Sequence, residues 1–275
     1  MQSRARFSDG ISVAIVGLGS IGKSVARRLS EGIPGVRLTA VAVRDPVKAS
    51  AFLASLPVVP AIVPIAEVAK LADVVVECAP AAALPEIAAY VLAAGKKLVV
   101  LSVGALLQHP GLERIARENK GQILIPTGAL IGLDAVRAAA EGIIHSVRLV
   151  TRKPVAGLIG APYLLQTNLN MHDIVAPVRV FSGSAREAAQ GFPSNLNVAA
   201  ALALAGIGAD RTLVEIWADP AATRNVHHIE VDSDSARFSM TIENIPSENP
   251  RTGRITALSV IALLRILTAS VKVGT

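Results

Sequence analysis

Cysteine is almost absent: Cys78 is the only one in 275 residues. That excludes an internal disulfide and any cysteine-built zinc site. Aromatic residues make up 3% of the chain, too few for a base-stacking surface or a sugar platform. Charged residues account for 17% against 52% hydrophobic, a balance that excludes disorder. No apolar run is long enough to span a bilayer. Residues 198–209 fall short, and Arg265 interrupts residues 255–267. The first ten residues carry no signal-type apolar stretch, so a cytoplasmic protein with no membrane partner is expected. The formal net charge is +6 and the pI about 9.8. The lysines and arginines are scattered without a basic block, so no nucleic-acid partner is expected. A small acidic ligand accounts for the excess equally well.

What the chain does hold is Ala, Val, Leu and Ile, the filling of a parallel sheet flanked by helices. At roughly 150 residues per domain the length suggests about two domains. Over residues 11–130, apolar runs alternate with helical patterns. Strands are expected at 11–16, 36–43, 73–78, 97–102 and 122–126. Helices are expected from Ile21 and at 84–94 and 110–119. This is the pattern of an α/β doubly wound parallel sheet. Beyond about residue 145 the pattern changes. Ala236, Phe238, Met240 and Ile242 alternate with Ser235, Arg237, Ser239, Thr241 and Glu243, an antiparallel strand with one wet face. Residues 212–218 and 225–232 are expected beside it, with helices at 194–205 and 255–271. The expected organisation is a Rossmann domain over 1–132 and an α+β domain with a mixed or antiparallel sheet over 133–251. A C-terminal helix over 252–275 completes it.

The first strand runs into Gly17-Leu18-Gly19-Ser20-Ile21-Gly22 and then a helix. In this dinucleotide fingerprint Gly17 makes the tight turn and Gly19 lets backbone approach a pyrophosphate. Gly22 lets helix and strand pack closely, and the N–H groups at Ser20 and Ile21 open the phosphate-binding helix end. The second strand ends Val43-Arg44-Asp45. Asp45 suits the 2′-hydroxyl of NAD and Arg44 a 2′-phosphate of NADP. Asp45 also suits the start of the turn at Pro46, so the choice between NAD and NADP stays open.

Nicotinamide chemistry needs a proton donor or acceptor, and histidine is the usual one. His109, His145 and His172 stand in loop-like or polar surroundings. His227 and His228 lie within an expected strand, where side chains alternate. His227 shares its face with Ile229 and Val231, and parity alone reads it as a core histidine. Residues 125–132 add glycines after the last Rossmann-like strand, a place for ligand approach or an ordinary loop. Asn195 and Asn197 open an apolar helix and are candidate caps. Gly-x-Ser-x-Gly, Walker and His-Glu-x-x-His motifs are missing, which leaves hydrolase, kinase and metalloprotease readings without their minimal parts.

Several segments together resemble the L-aspartate dehydrogenases of the NadX type. They are residues 16–22, 75–79, 99–105, 126–129, 151–154, 181–188, 195–199, 218–220, 225–227 and 249–252. The resemblance implies NAD(P)-dependent interconversion of L-aspartate and iminosuccinate, which hydrolyses to oxaloacetate and ammonia. The reaction would serve NAD biosynthesis or aspartate metabolism. It implies an active-site histidine at His227, cofactor contacts at Ala79, Ala129 and Asn197, a C-terminal helix returning to the first domain, and a homodimer. Arg152, Lys153 and Arg186 are candidate partners for the substrate carboxylates. A related dehydrogenase acting on another small amino or hydroxy acid, and a non-catalytic NAD(P) sensor, are the other readings.

Overall fold

The computed structural model describes residues 10–167, 169–193, 196–247 and 253–274. Asn195 and the segment 249–252 lie outside them. The chain divides into two units. The first takes the described residues up to Ser102, His109–Pro126 and Ala257–Val273. The second takes Val103–Gln108, the described residues of Thr127–Thr256, and Gly274.

The first unit is a sheet of six strands, β1 (Ile11–Val16), β2 (Val36–Ala42), β3 (Ala61–Ile62), β4 (Val74–Glu77), β5 (Lys97–Val100) and β6 (Gln122–Leu124). Their order is β3-β2-β1-β4-β5-β6, and every neighbouring pair is parallel. The order reverses between β1 and β4, the switch point at which such sheets bind ligands beyond their strand ends. Val13, Ile15, Val74 and Val76 are buried between the helical layers. The last helix, Ile255–Thr268, sends Val260, Ile261 and Leu264 into that same core.

The second unit is a mixed five-stranded sheet. Its strands are β7 (Ile144–Pro154), β8 (Val178–Ser184), β9 (Thr212–Asp219), β10 (Asn225–Ser233) and β11 (Arg237–Asn244), in the order β11-β10-β7-β9-β8. β7 and β9 run parallel and the other pairs antiparallel. On one face Val147, Leu149, Val214, Ile216, Ile229 and Val231 are buried. The apolar helix Asn197–Ala205 packs on β9 and on the helices Leu133–Ala140 and Ala185–Gly191. A capping box starts Ala185–Gly191: Ser184 Oγ accepts the Glu187 N–H, and Glu187 Oε2 accepts the Ser184 N–H. Ser184 and Glu187 of the segment 181–188 are therefore a helix start. The alternation over 235–243 appears in β11, with Phe238, Met240 and Ile242 half-buried and Ser239, Thr241 and Glu243 exposed. Among the described residues, no helix is long and apolar enough to cross a membrane.

Candidate active site

In the first unit the glycines divide their tasks by geometry. Gly17 has φ +94°, and a Cβ there would stand 2.6 Å from the Cys78 carbonyl oxygen on the neighbouring strand end. A Cβ on Gly22 would meet the Gly17 carbonyl oxygen at 2.1 Å. Both must be glycine for turn, strand and helix to close up. Gly19 is exposed, and a Cβ there would meet nothing within 4 Å. That open space lies at the mouth of the helix Ser20–Ser30, whose first turn has no side-chain cap and no acidic residue. Free N–H donors and a positive dipole end over open space fit a pyrophosphate.

Next to this turn, the Gly17 N–H donates to the Ala42 carbonyl at 2.8 Å, which puts the end of β2 level with the glycines. Arg44 is exposed there. Asp45 caps the helix Pro46–Ala54, its Oδ1 accepting the Lys48 N–H at 3.0 Å. This carboxylate therefore has the turn-starting task that the sequence allowed.

Ala79 follows a group that sequence reasoning missed. Glu77 ends β4, fully buried. It accepts from the backbone N–H groups of Ala79 (3.1 Å), Leu101 (3.1 Å) and Ser102 (2.9 Å), and from Ser102 Oγ (3.0 Å). Burial pushes its carboxyl above the usual range while these donors pull it back. One side chain thus fixes the loops after β4 and β5, at the carboxyl ends of the strands. The available signal was a charged residue closing the run Val74-Val75-Val76.

In the second unit His227 points to the helix-covered face, as its parity requires, and is 3% exposed. Burial first, and then the nearby Lys153 charge, drive its pKa down to about 3. The imidazole is therefore neutral over the working range. Across the β7–β10 ladder it faces Thr151, whose Oγ1 lies 3.1 Å from His227 Nδ1. Thr151, Lys153, Asn225 and Asn244 are buried polar residues at this end of the sheet, and Asn225 stands opposite Asn244. Asn244 Nδ2 donates to the Ala129 carbonyl at 2.9 Å. Among the described residues its buried Oδ1 has no hydrogen-bond partner. Asn197 Oδ1 accepts the Gly104 N–H at 3.0 Å, so two of the expected contact residues, Ala129 and Asn197, are each held by a hydrogen bond within this unit. His228 faces the other way, its Nδ1 2.7 Å from Thr241 Oγ1. His109, His145 and His172 are exposed.

Family models match both halves. Residues 17–126 match "Homoserine dehydrogenase, NAD binding domain" and residues 134–267 match "Aspartate dehydrogenase, C-terminal". The chain is 59% identical to L-aspartate dehydrogenase 3 of Bordetella bronchiseptica, covering 96% of this chain and 98% of the relative. The chain belongs to the L-aspartate dehydrogenase family. The family member of Bradyrhizobium diazoefficiens is 58% identical, over 98% of this chain and 95% of that one. The crystal structure of aspartate dehydrogenase from Thermotoga maritima shares the fold, with a TM-score of 0.69 at 24% identity over 96% of this chain and 99% of that one. In this L-aspartate dehydrogenase family member the fingerprint glycines lie in the stretch matched as NAD-binding. His227 lies in the stretch matched as the aspartate dehydrogenase C-terminal part. The first unit is an NAD(P)-binding domain.

Proposed function

We propose that this chain catalyses the reversible NAD(P)-dependent oxidation of L-aspartate to iminosuccinate, which hydrolyses to oxaloacetate and ammonia, in NAD biosynthesis or aspartate metabolism. The observation that carries the reading is His227: a buried, neutral imidazole braced by Thr151 in the part that matches the aspartate dehydrogenase model. Curated relatives at up to 59% identity, named L-aspartate dehydrogenase, support the substrate.

The bound nicotinamide supplies or accepts the hydride. Gly17, Gly19, Ser20, Ile21 and Gly22 would take the dinucleotide's phosphates on backbone. Arg44 and Asp45 would face its adenosine ribose, and Ala79, Ala129 and Asn197 would be its further contacts. With His227 Nδ1–H donating to Thr151 Oγ1, the Nε2 lone pair takes the proton that the substrate ammonium must lose. In the hydrolytic direction it activates the attacking water. A substrate carboxylate beside the ring favours the protonated imidazole, which lifts its basicity when substrate is bound. The working form we propose is a cytoplasmic homodimer. The sheet face turned away from the helices supports a partner there, since it presents Leu213 at 53% exposure.

The test is NAD+ and NADP+ reduction with L-aspartate at alkaline pH, with L-malate, L-homoserine and L-glutamate alongside. Turnover with L-aspartate that His227→Ala abolishes is the expected result. Turnover with another substrate alone, or an unimpaired His227→Ala variant, would end the reading. Light scattering that returned a monomer mass would end the dimer.

A further inference from the structure

We propose that Glu77 is the positioning residue for the nicotinamide half of the dinucleotide, holding the loops after β4 and β5 in the one arrangement that receives that half. The inference deepens the NAD(P)-binding reading above and rests on it, not on the identity of the second substrate.

The sheet order says where that half runs. β1 lies between β2 and β4, and β5 lies beyond β4. The Gly17 N–H is tied to the end of β2 through the Ala42 carbonyl. On its other side the turn meets β4: the Cys78 N–H donates to the Val16 carbonyl at 2.8 Å, and the Cys78 carbonyl stands against Gly17. A dinucleotide lies across the crevice at such a reversal of strand order. With its phosphates on the glycine turn and its adenosine ribose toward β2, its nicotinamide half runs toward β4 and β5. The loops there include Ala79, Leu101 and Ser102, the residues that Glu77 holds.

The bonding of Glu77 is full. Its Oε1 accepts from the Ala79 N–H and the Ser102 hydroxyl, and its Oε2 accepts from the N–H groups of Leu101 and Ser102. An ionised carboxylate has about four lone-pair sites, and here each is met by a donor. A carboxamide would set its own hydrogens against donors whichever way it turned. Only the carboxylate holds both loops at once. Burial opposes its charge, and an apolar residue would close the run Val74-Val75-Val76 without that cost. Fully satisfied buried networks fix a single arrangement, and this one sits at the carboxyl ends of the strands, where such sheets take their ligands.

The network also decides what the loops present. The N–H groups of Ala79 and Ser102 are turned to Glu77. In a trans peptide the carbonyl points the opposite way, so the carbonyls of Cys78 and Leu101 point away from the carboxylate. The amide of nicotinamide carries N–H donors, and acceptors at this end suit it. The cofactor contact expected at Ala79 then comes through its methyl group or carbonyl, since Glu77 takes its N–H.

The test compares two ligands that differ by the nicotinamide. One is NADH or NADPH, whichever the wild type binds more tightly. The other is ADP-ribose or its 2′-phosphate to match. Calorimetry on the wild type and Glu77→Gln reads both. Glu77→Gln should weaken the reduced dinucleotide about tenfold or more and leave the ADP-ribose affinity at the wild-type value. In turnover with L-aspartate the variant should lower kcat and raise the KM for the oxidised dinucleotide. Equal weakening of both ligands would make Glu77 a brace of the whole domain and overturn the proposal, as would unchanged affinity for the reduced dinucleotide. Should Glu77→Gln fail to fold, Ser102→Ala decides. It removes one donor and keeps the carboxylate, so it should show the same split in smaller measure, and its absence counts against Glu77. A wild type that binds neither ligand would sink the dinucleotide reading itself, whereas binding without the split sinks the role of Glu77 alone. The binding arms need no turnover, so a chain that shows the split yet leaves L-aspartate unoxidised would end the proposed reaction and spare that role.

Discussion

Asn197 Oδ1 accepts the backbone N–H of Gly104 across 93 residues of chain. The bond fixes the short helix Val103–Leu106 to the mouth of the helix Asn197–Ala205. Removing the acceptor leaves a part-buried N–H without a partner. Asn197→Ala should cost about 1–3 kcal/mol in urea unfolding, whereas Asn197→Asp, which keeps an acceptor oxygen, should recover most of it. Equal stability of the Ala variant and the wild type would mean that the bond holds nothing.

The fingerprint glycines should respond differently to one methyl group. Gly22→Ala sets a Cβ 2.1 Å from the Gly17 carbonyl oxygen, so backbone must shift, at about 1–3 kcal/mol. Gly19→Ala meets nothing in the free protein. It should leave the melting temperature near wild type and weaken NAD(P)H binding at least about tenfold, because the methyl enters the space given to phosphate. Calorimetry and thermal melts on the two variants separate packing from ligand approach.

His227 makes stability depend on pH. Its pKa is near 3 in the folded protein against an ordinary 6.5. Between these values the unfolded chain binds the extra proton, so stability is lost as the pH falls from 6.5 toward 3. The loss should approach several kcal/mol at the acid end. Urea titrations should show a shallower acid decline for His227→Asn than for the wild type.

Lys153 should show the price of its position. Its ammonium is penalised by burial below about pH 8, and the penalty fades as the pH rises toward 10.5, where the unfolded chain also loses the proton. The stability of the wild type relative to Lys153→Met should therefore rise between about pH 8 and 10.5. Urea titrations of the two proteins across that range that run parallel would show that the burial of the ammonium does not set its titration.

The central Rossmann strands β1 and β4 were legible because each is an apolar run buried on both faces: Val13 to Val16 and Val74 to Val76 have no wet side to interrupt them. β3 was not, since Ala61–Ile62 is two exposed residues long. The central strand of the second sheet was also missed. In β7 the buried face carries Thr151 and Lys153 where the pattern calls for apolar residues, and His145, Ser146, Arg148 and Arg152 supply further polarity. Without that strand there was no parity to tell Lys153 from Arg152. His227 was placed on the right face because β10 keeps its alternation through Ile229 and Val231. Glu77, Thr151 and Asn244 act through partners distant in sequence, which no local pattern reports.

The core of the dinucleotide-binding unit joins β1 and β4 to Val260, Ile261 and Leu264 of the helix Ile255–Thr268. A ribosome delivers that helix after nearly all of the second unit. The growing chain therefore holds β1 to β6 with part of its hydrophobic face bare for most of translation, while the second unit lies between the two halves of the first. Domain-by-domain folding from the N-terminus is barred to this half of the molecule, and the exposed face is a natural client for a chaperone. A ribosome stalled just before Ile255 should display a protease-sensitive first unit. Release of the last helix should protect it.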